Sequence, residues 1–597
     1  MEERVQVSAT PLHSLWTNSI EAREKRGTCI ANLHLKCVEG SGAKYVHIFL
    51  KHNKEGAQIN GENISDYRGP QEGEYCIVSL IDRPWIAAGT ILHAKNNEIH
   101  MILERDLSRR LTKTTKFHID TYESYATTVQ NLTNLGVLLD DSDRSHRLRR
   151  LIIDKETPEF EMKLGRDVGR LGAKLMRSLN IEQQRAVLKA LAAKDYALLK
   201  GLPGTGKTQT ISVLIQMLVE LKQRVLVTAH THSAVDTVLS RLPNSIRIMR
   251  LGPKSRVAGC LVDRCEHNLA ASCDTTKKLE LLYNSMQVVG VTCLGAAHAM
   301  LTRTTFDVCI VDEATQVLQS TVLRPLFAAN RFILVGDPEQ LPPVVRSKAA
   351  IRLGMEQSLF HRLMREEATC TLHLQYRMNK PLADVANLVA YDGQLKCASE
   401  KVANSRLDIN IEKLPNDIEW LLKACSPEPD HAVVFLDLKE QQTENKKNSR
   451  TCANKTEACL VLALVESLIK GGISSSDVGI IAPYRDQVSL LRRSLAGQAE
   501  VSTVDQFQGR DKNVIIYSCT RTDSQEHRKV KDGEVLNDQR RLAVSVTRAK
   551  HKLIVVGDSR ALQRYEPLQR LIRACNIITL TQQHICDTHL KYMSRIL

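Results

Sequence analysis

Residues Gly201 to Thr208, GLPGTGKT, have the types and spacing to hold a nucleotide's phosphates. Gly201, Gly204 and Gly206 let backbone N–H groups wrap an anion, with Thr205 between them. Lys207 can reach the β- and γ-phosphates, and the Thr208 hydroxyl can bind Mg²⁺. An apolar run, YALLKG, precedes the loop and a helical pattern, TQTISVLIQMLVEL, follows it. The positive end of that helix faces the same phosphates. Roughly 105 residues downstream, FDVCIVDEATQ ends in Asp312 and Glu313. Acids at the tip of a buried strand are unfavourable unless they have chemistry to do. Asp312 can hold Mg²⁺, and Glu313 can orient and deprotonate an attacking water. Phosphoryl transfer also needs positive charge at the developing oxygens. LQYRMNK offers Arg377, and RRLAVSVTRAKHKLIVVGD offers Arg541 and Arg548.

These residues need elements to position them. From 181 onward, short β-branched runs alternate with helical patterns: YALLKG, RVLVTA, QVVGVTC, FDVCIVDE, RFILVGD. After about 371 the texture returns in VGIIAPY, EVSTVDQF, NVIIYSC and KLIVVGD. Buried parallel strands read this way, which predicts two α/β domains in tandem. No long-period repeat is legible. The polar stretch 439–457 between them reads as a surface loop. Residues 27–120 alternate apolar and polar positions in short runs and predict a small β-domain, a barrel-like one. Residues 120–178 are helical and basic, and the charge run RSHRLRRLIID reads as a solvated face.

Composition sets wide bounds. The 597 residues suggest on the order of three or four domains. Lys and Arg number 82 against 67 acids, a formal charge of +15, which favours a polyanionic partner. The 16 cysteines form no CxxC pair. Cys260, Cys265, His267 and Cys273 cluster locally without the spacing of a usual zinc site. The opening MEERVQVSAT has no apolar h-region. The longest apolar run, CLVLALVESLI, is short for a bilayer and contains Glu466.

Six motifs occur in order: GLPGTGKT, VDEATQ, LVGDPEQLPP, LQYRMN, TVDQFQGRDK and RRLAVSVTRAK. Together they resemble the motif set of superfamily 1 helicases of the 5′→3′ branch. THSAVD, QGRDK, LNIEQQRAV, GTCIANL and LIIDKETPEF extend the resemblance, nearly over the whole chain, to the eukaryotic DNA replication ATP-dependent helicase/nuclease family. The resemblance implies two tandem RecA-like P-loop domains, an α/β class, with a β-barrel-like domain and a helical connector. Boundaries fall at 1–120 for the barrel, 121–180 for the connector, and 181–370 and 371–597 for the RecA-like domains.

The resemblance also implies roles. Gln183 reads the adenine and Tyr376 stacks on it. Gly206, Lys207 and Thr208 bind phosphates and Mg²⁺, Asp312 and Glu313 serve as metal-holding and water-activating acids, and Gln340 senses the γ-phosphate. Arg377 and Arg548 are arginine fingers, and Gly509 and Asp511 sit across the cleft from the nucleotide. Thr231, His232, Pro483, Tyr484 and Thr503 fall where relatives touch the strand. The implied cofactors are ATP and Mg²⁺. The implied partners are single-stranded DNA, flapped or forked duplexes and a single-strand DNA-binding protein, with no membrane. The nucleus is the implied location, with mitochondria second.

The chain departs from the family at three places. Asp511 stands where many relatives have glutamate. Ala543 stands where asparagine is usual, removing an amide hydrogen-bond pair near Arg548, about 1 kcal/mol net. The family's iron–sulfur-bound nuclease domain precedes the β-domain, and this sequence starts about where that domain should end. The expectation is therefore a helicase half without the cluster. Asp154, Glu161 and Lys163 mimic a nuclease set, and strand cleavage with Mg²⁺ but no ATP is what that alternative predicts. An RNA helicase of the nonsense-mediated-decay kind is a second alternative, although no Cys/His-rich zinc domain is present. A non-catalytic nucleic-acid-binding scaffold is a third, and it would not require Lys207, Asp312, Glu313 or the arginines.

Overall fold

The computed structural model describes residues 17–25, 27–41, 44–51, 70, 74–95, 98–103, 105–108, 115–122, 126–345, 347–415, 418–438, 453–521 and 534–596. The chain divides into two compact units, Met1–Thr133 with Val345–Met355, and Asn134–Val344 with Glu356–Leu597.

The first unit holds β1 (Cys29–Ser41), β2 (Lys44–Lys51), β3 (Tyr75–Leu80), β4 (Ala87–Lys95), β5 (Glu98–Leu103) and β6 (Phe117–Thr121). They close an antiparallel barrel in the order β1-β2-β5-β4-β3-β6. Alternation does this: along β5, Ile99, Met101 and Leu103 are buried while the residues between them are partly exposed. Bulges in β1 and β4 bend the strands into closure. A Cβ at Gly89 would lie 1.9 Å from the Ile102 carbonyl oxygen, so only glycine permits the approach of β4 to β5.

The second unit carries two parallel sheets. The first contains β7 (Tyr196–Gly201), β8 (Val225–Ala229), β9 (Ile248–Arg250), β10 (Val288–Thr292), β11 (Phe306–Asp312), β12 (Ala329–Gly336) and β13 (Thr369–Leu372), in the order β13-β7-β12-β11-β8-β10-β9. A short pair, β14 (Leu374–Gln375) with β15 (Lys396–Cys397), follows it. The second sheet contains β16 (Val433–Asp437), β17 (Val478–Ile481), β18 (Glu500–Ser502), β19 (Lys512–Ser518), β20 (Ala549–Gly557) and β21 (Asn576–Thr579), in the order β18-β17-β19-β20-β16-β21. Both faces of each sheet are covered. Along β7, Ala197 and Leu199 enter one core while Tyr196 and Leu198 enter another. That two-sided burial is why the strands read as unbroken apolar runs.

Leaving aside the short edge strand β9, the two sheets share one topology. With strands numbered by occurrence in each half, both run sixth, first, fifth, fourth, second, third. The repeat lies in the strand order, where no sequence period betrays it.

Three sequence expectations change. β13 pairs with β7, so the first sheet runs through Leu372, past the expected limit at 370. In the connector, Arg144 donates to the Phe327 carbonyl, Arg147 to that of Ala329, and Arg149 to those of Leu138 and Asp140. The basic run is therefore largely tied to main-chain acceptors rather than simply solvated. The expected loop 439–457 ends early. Asn454 caps the helix Lys455–Lys470, and Glu457 inside it is fully buried; residues 439–452 lie outside the described residues. CLVLALVESLI forms the body of this helix. Its Glu466 accepts from Tyr592 at 2.8 Å and pairs with Arg595. Among the described residues no helix is long and apolar enough to cross a membrane.

Candidate active site

In open parallel sheets, ligands collect at the carboxyl ends of the strands. Four neighbouring strands of the first sheet put the expected chemistry there: β13 leads to Arg377, β7 to the glycine loop, β12 to Asp337 and Gln340, and β11 to Asp312 and Glu313.

The loop is a cradle. Gly204 and Gly206 have φ of +73° and +78°. A Cβ at Gly201 would meet Lys207 Cγ at 2.2 Å, and one at Gly206 would meet Gln183 Nε2 at 2.6 Å. The first turn of the helix Lys207–Glu220 therefore keeps its N–H groups open to an anion. Lys207 Nζ donates to the Gly201 carbonyl at 2.7 Å. Thr208, half-buried in the same turn, and the Asp312 carboxylate supply oxygens that suit Mg²⁺.

Asp312 is buried, and burial together with the Glu313 charge raises its pKa against the pull of Lys207. Glu313 has φ +50°, a conformation that disfavours a side chain by about 1–3 kcal/mol and collects at functional sites. Its N–H donates to Asp312 Oδ1 at 2.9 Å, and its Oε2 accepts from Gln316 at 3.0 Å. Asp337 is 0% exposed and its pKa is likewise raised by burial, with Lys207 opposing. Gln340 donates to it at 2.7 Å and the Tyr391 hydroxyl at 3.0 Å. Sequence reading took Gln340 from LVGDPEQ but passed over Asp337. The signal that marked Asp312, an acid closing an apolar strand, is present there too. Two buried polar atoms beside these residues, Thr315 Oγ1 and Gln508 Oε1, have no partner, as a phosphate–metal site would leave them.

Positive charge comes from Arg377, held by groups of the second sheet, and from Arg548 of that sheet. Arg377 pairs with Asp511 at 2.9 Å and donates to the Thr547 carbonyl at 3.0 Å. Asp511 also pairs with Lys550 at 2.9 Å. Burial alone would raise the Asp511 pKa, but Arg377 and Lys550 outweigh it and hold the carboxyl below its usual range. Asp511 thus positions an arginine, and Gly509 begins the turn that brings it there with φ +80°. Arg548 is buried. Its guanidinium donates to Val544 O at 2.9 Å, to Thr547 Oγ1 at 2.9 Å and to Arg510 O at 3.4 Å. Burial and Arg377 lower its pKa to about 10, so it stays charged at neutral pH. These bonds hold Arg548 without any contribution from the Ala543 side chain. Arg541 is different: Asp538 and Asp505 neutralise it at 2.6 and 3.1 Å within its own domain. Across the gap, Gln508 Nε2 reaches Gln340 Oε1 at 3.4 Å.

Asn180, Gln183 and Tyr376 meet at the far end of the loop. Gln183 and Asn180 form a capping box, and Gln183 Nε2 donates to Thr205 O at 3.0 Å. Asn180 Nδ2 donates to the Tyr376 hydroxyl at 2.8 Å, while half of Tyr376 faces solvent. Its backbone N–H donates to Gly204 O at 2.9 Å, docking this turn on the glycine loop. Gln375, fully buried, locks the turn. Its Oε1 accepts from the Arg377 and Met378 N–H groups at 2.8 and 2.7 Å, and its Nε2 donates to Met378 O at 2.6 Å. Nothing in LQYRMN marked Gln375, because its partners are set by the turn's shape.

The expected strand contacts lie on other strand ends. Thr231 and His232 follow β8; Thr231 caps the helix His232–Leu239 and is exposed. Buried Arg250, held by Asp236 at 2.6 Å, stands 3.0 Å from His232 Nδ1, which must accept, leaving Nε2 as the donor. Burial and Arg250 lower the His232 pKa. Pro483 and Tyr484 follow β17, and Thr503 follows β18; all three are half-buried. Tyr484 does not stand alone, because the Arg521 guanidinium lies 5.4 Å from its ring centroid.

The nuclease alternative rests on three residues of the connector. Asp154, Glu161 and Lys163 are exposed. Of the cysteine cluster, Cys265 is buried and Cys260 exposed. Among the described residues no group of three or more His, Cys, Asp or Glu can hold a metal.

Two family models, each described as an AAA domain, match the chain, one over residues 178–279 and 263–348, the other over 355–560. The DNA replication ATP-dependent helicase/nuclease of Xenopus laevis is 38% identical over 595 residues, 95% of this chain and 55% of the relative. The Homo sapiens protein is 37% identical over 593 residues, 94% of this chain and 54% of the relative. That of Saccharomyces cerevisiae is 38% identical over 442 residues, 69% and 28% of the two chains. The chain spans about half the length of the first two. With the motifs in order and their residues gathered at the strand ends of two like sheets, the chain belongs to the DNA replication ATP-dependent helicase/nuclease family.

Proposed function

We propose that this chain is an ATP-dependent DNA helicase that moves 5′→3′ along single-stranded DNA. The observation that carries this reading is the division of the site. Lys207, Asp312, Glu313 and Asp337 belong to one sheet, while Asp511, Arg548 and the partners of Arg377 belong to the other. Lys207 and the loop N–H groups bind the β- and γ-phosphates. Glu313 accepts a proton from the attacking water as its oxygen bonds to the γ-phosphorus and the bond to ADP breaks. Arg377 and Arg548 neutralise the charge that develops on the transferred oxygens, and Gln340 reports the γ-phosphate to Gln508. Mg²⁺, held by Thr208 and Asp312, would supply charge neutralisation at the phosphates. Gln183 and Tyr376 take the base. Because groups from both sheets must converge on the phosphates, nucleotide binding draws the sheets together and hydrolysis releases them. A strand gripped by Thr231, His232, Pro483, Tyr484 and Thr503 differently in the two states is moved along.

By family membership, the setting we propose is DNA replication and repair in the nucleus, and in mitochondria. The substrates would be flapped or forked duplexes in Okazaki fragment processing and end resection, with a single-strand DNA-binding protein as partner. The test is ATP hydrolysis by the purified chain without nucleic acid, with single-stranded DNA and with single-stranded RNA, reading DNA cleavage in the same tube. Strong stimulation by DNA is expected, abolished by Lys207→Ala. Equal or greater stimulation by RNA would move the assignment to an RNA helicase. Cleavage without ATP would return Asp154, Glu161 and Lys163 to the site.

A further inference from the structure

Three neighbouring strands of the second sheet, β18, β17 and β19, end side by side. Thr503 follows the first, Pro483 and Tyr484 the second, and Arg521 the third. We propose that Arg521 binds the phosphodiester backbone of the single strand, forming with Tyr484 one nucleotide subsite; this rests on the translocase reading above.

Arg521 Nε donates to the Tyr484 hydroxyl at 3.2 Å, and its guanidinium lies 5.4 Å from the ring centroid. Both side chains are half-buried, and the pair sets a guanidinium beside an aromatic ring. An aromatic ring takes a base of any sequence, and an adjacent guanidinium takes the phosphate beside it. A polyanion also suits a chain of charge +15.

The turn that delivers Arg521 is built for its place. Thr520, β-branched, has φ +72°, where such residues are outliers. Its N–H donates to Glu457 Oε2 at 2.8 Å, and the Ser518 hydroxyl donates to the same oxygen at 2.6 Å. Fully buried Gln487, one turn beyond Tyr484, donates to Ser518 Oγ at 3.0 Å and accepts from Asn454 N at 2.7 Å. One buried network therefore fixes both the Arg521 turn and the helix that starts after Tyr484. A simple tight turn would be met by glycine. The topology adds an independent hint. By strand position, Tyr484 stands where Thr231 and His232 stand in the first sheet, and Arg521 stands where the functional pair Asp312–Glu313 stands.

The experiment is equilibrium binding of a fluorescent oligo-dT by the full chain over a range of salt. Arg521→Ala should weaken binding about tenfold and make the slope of log K against log salt shallower by about 0.7, one phosphate contact on a single strand. Arg521→Lys should keep the wild-type slope, because the charge is retained. A slope unchanged in Arg521→Ala, even with weaker binding, would mean that the guanidinium only props the Tyr484 ring, and the subsite would be wrong while the translocase reading stood. Failure of the unaltered chain to bind oligo-dT would overturn both.

Discussion

The two sheets of the second unit have the same strand order and opposite chemistry. The first turns the carboxyl ends of its strands to the nucleotide site and brings a lysine and three acids, Asp312, Glu313 and Asp337. The second turns the starts of β19 and β20 to it. Gly509 and Asp511 precede one, and Thr547 and Arg548 precede the other. At the place where the first sheet has its glycine loop, between the first strand and its helix, the second has no glycine in its sequence from Leu438 to Asn454, and its helix Lys455–Lys470 buries Glu457 under the carboxyl edge. On the proposed reading, one topology serves as nucleotide cradle in one copy and as arginine donor and strand platform in the other. A sheet fixes where strand ends lie; the residues placed there decide what they do.

The largest expected effect breaks this division directly. Arg548→Ala should lower kcat for DNA-stimulated ATP hydrolysis about 10³-fold with little change in KM, measured at saturating oligo-dT. A fall under tenfold would place the charge donor elsewhere. Asp511→Asn should reduce kcat about tenfold, because Arg377 and Lys550 lose their shared anion. An Arg377→Lys change in the same assay should add little to it, since both act on one contact.

Next comes the second sheet's buried acid. Burial raises the Glu457 pKa from 4.5 to about 8, against the Ser518 and Thr520 hydrogen bonds. The folded state therefore binds this proton more tightly than the unfolded state. That stabilisation is complete below pH 4.5 and is lost as pH rises towards 8, by about 1.4 kcal/mol per unit at most. Melting temperature should fall between pH 6 and 8.5, and Glu457→Gln should flatten that fall. A pH profile identical to wild type would show the acid already ionised. The smallest effect is at Ala543. Its side chain is fully buried, and Arg548 draws support from Val544 and Thr547. Ala543→Asn should destabilise the fold by about 1–2 kcal/mol in chemical denaturation, without raising kcat.

Much of the site was legible because local patterns reach it. GLPGTGKT needs only a strand, a glycine turn and a helix in succession, and Asp312 declares itself by closing an apolar run. Asp337 obeyed the same rule and was overlooked. Other features were not legible. Arg541 lies in the helix Gln539–Val546 and Arg548 just beyond it, and charge and spacing alone do not tell them apart. Folding neutralises the first with Asp505 and Asp538 and buries the second beside main-chain carbonyls. The connector's Arg144 and Arg147 read as solvated because their acceptors lie roughly 180 residues away in the chain. Glu457 read as part of a polar loop because its neighbours are polar and its partners, Ser518 and Thr520, are distant in sequence.

The sequence by itself determined the alternation of strands and helices, the glycine loop and the acids at strand tips, since these depend on periodicity and on conformations that neighbouring residues impose. Tertiary structure alone decided that Arg541 pairs with Asp505 and Asp538, that Asp511 holds Arg377, that Gln375 locks its turn, and that Arg521 lies against Tyr484. The Gln375 bonds are local but depend on the shape of the turn; the Asp511–Arg377 and Arg521–Tyr484 contacts join groups far apart in the chain. Whether each forms depends on burial and approach, which no local pattern encodes.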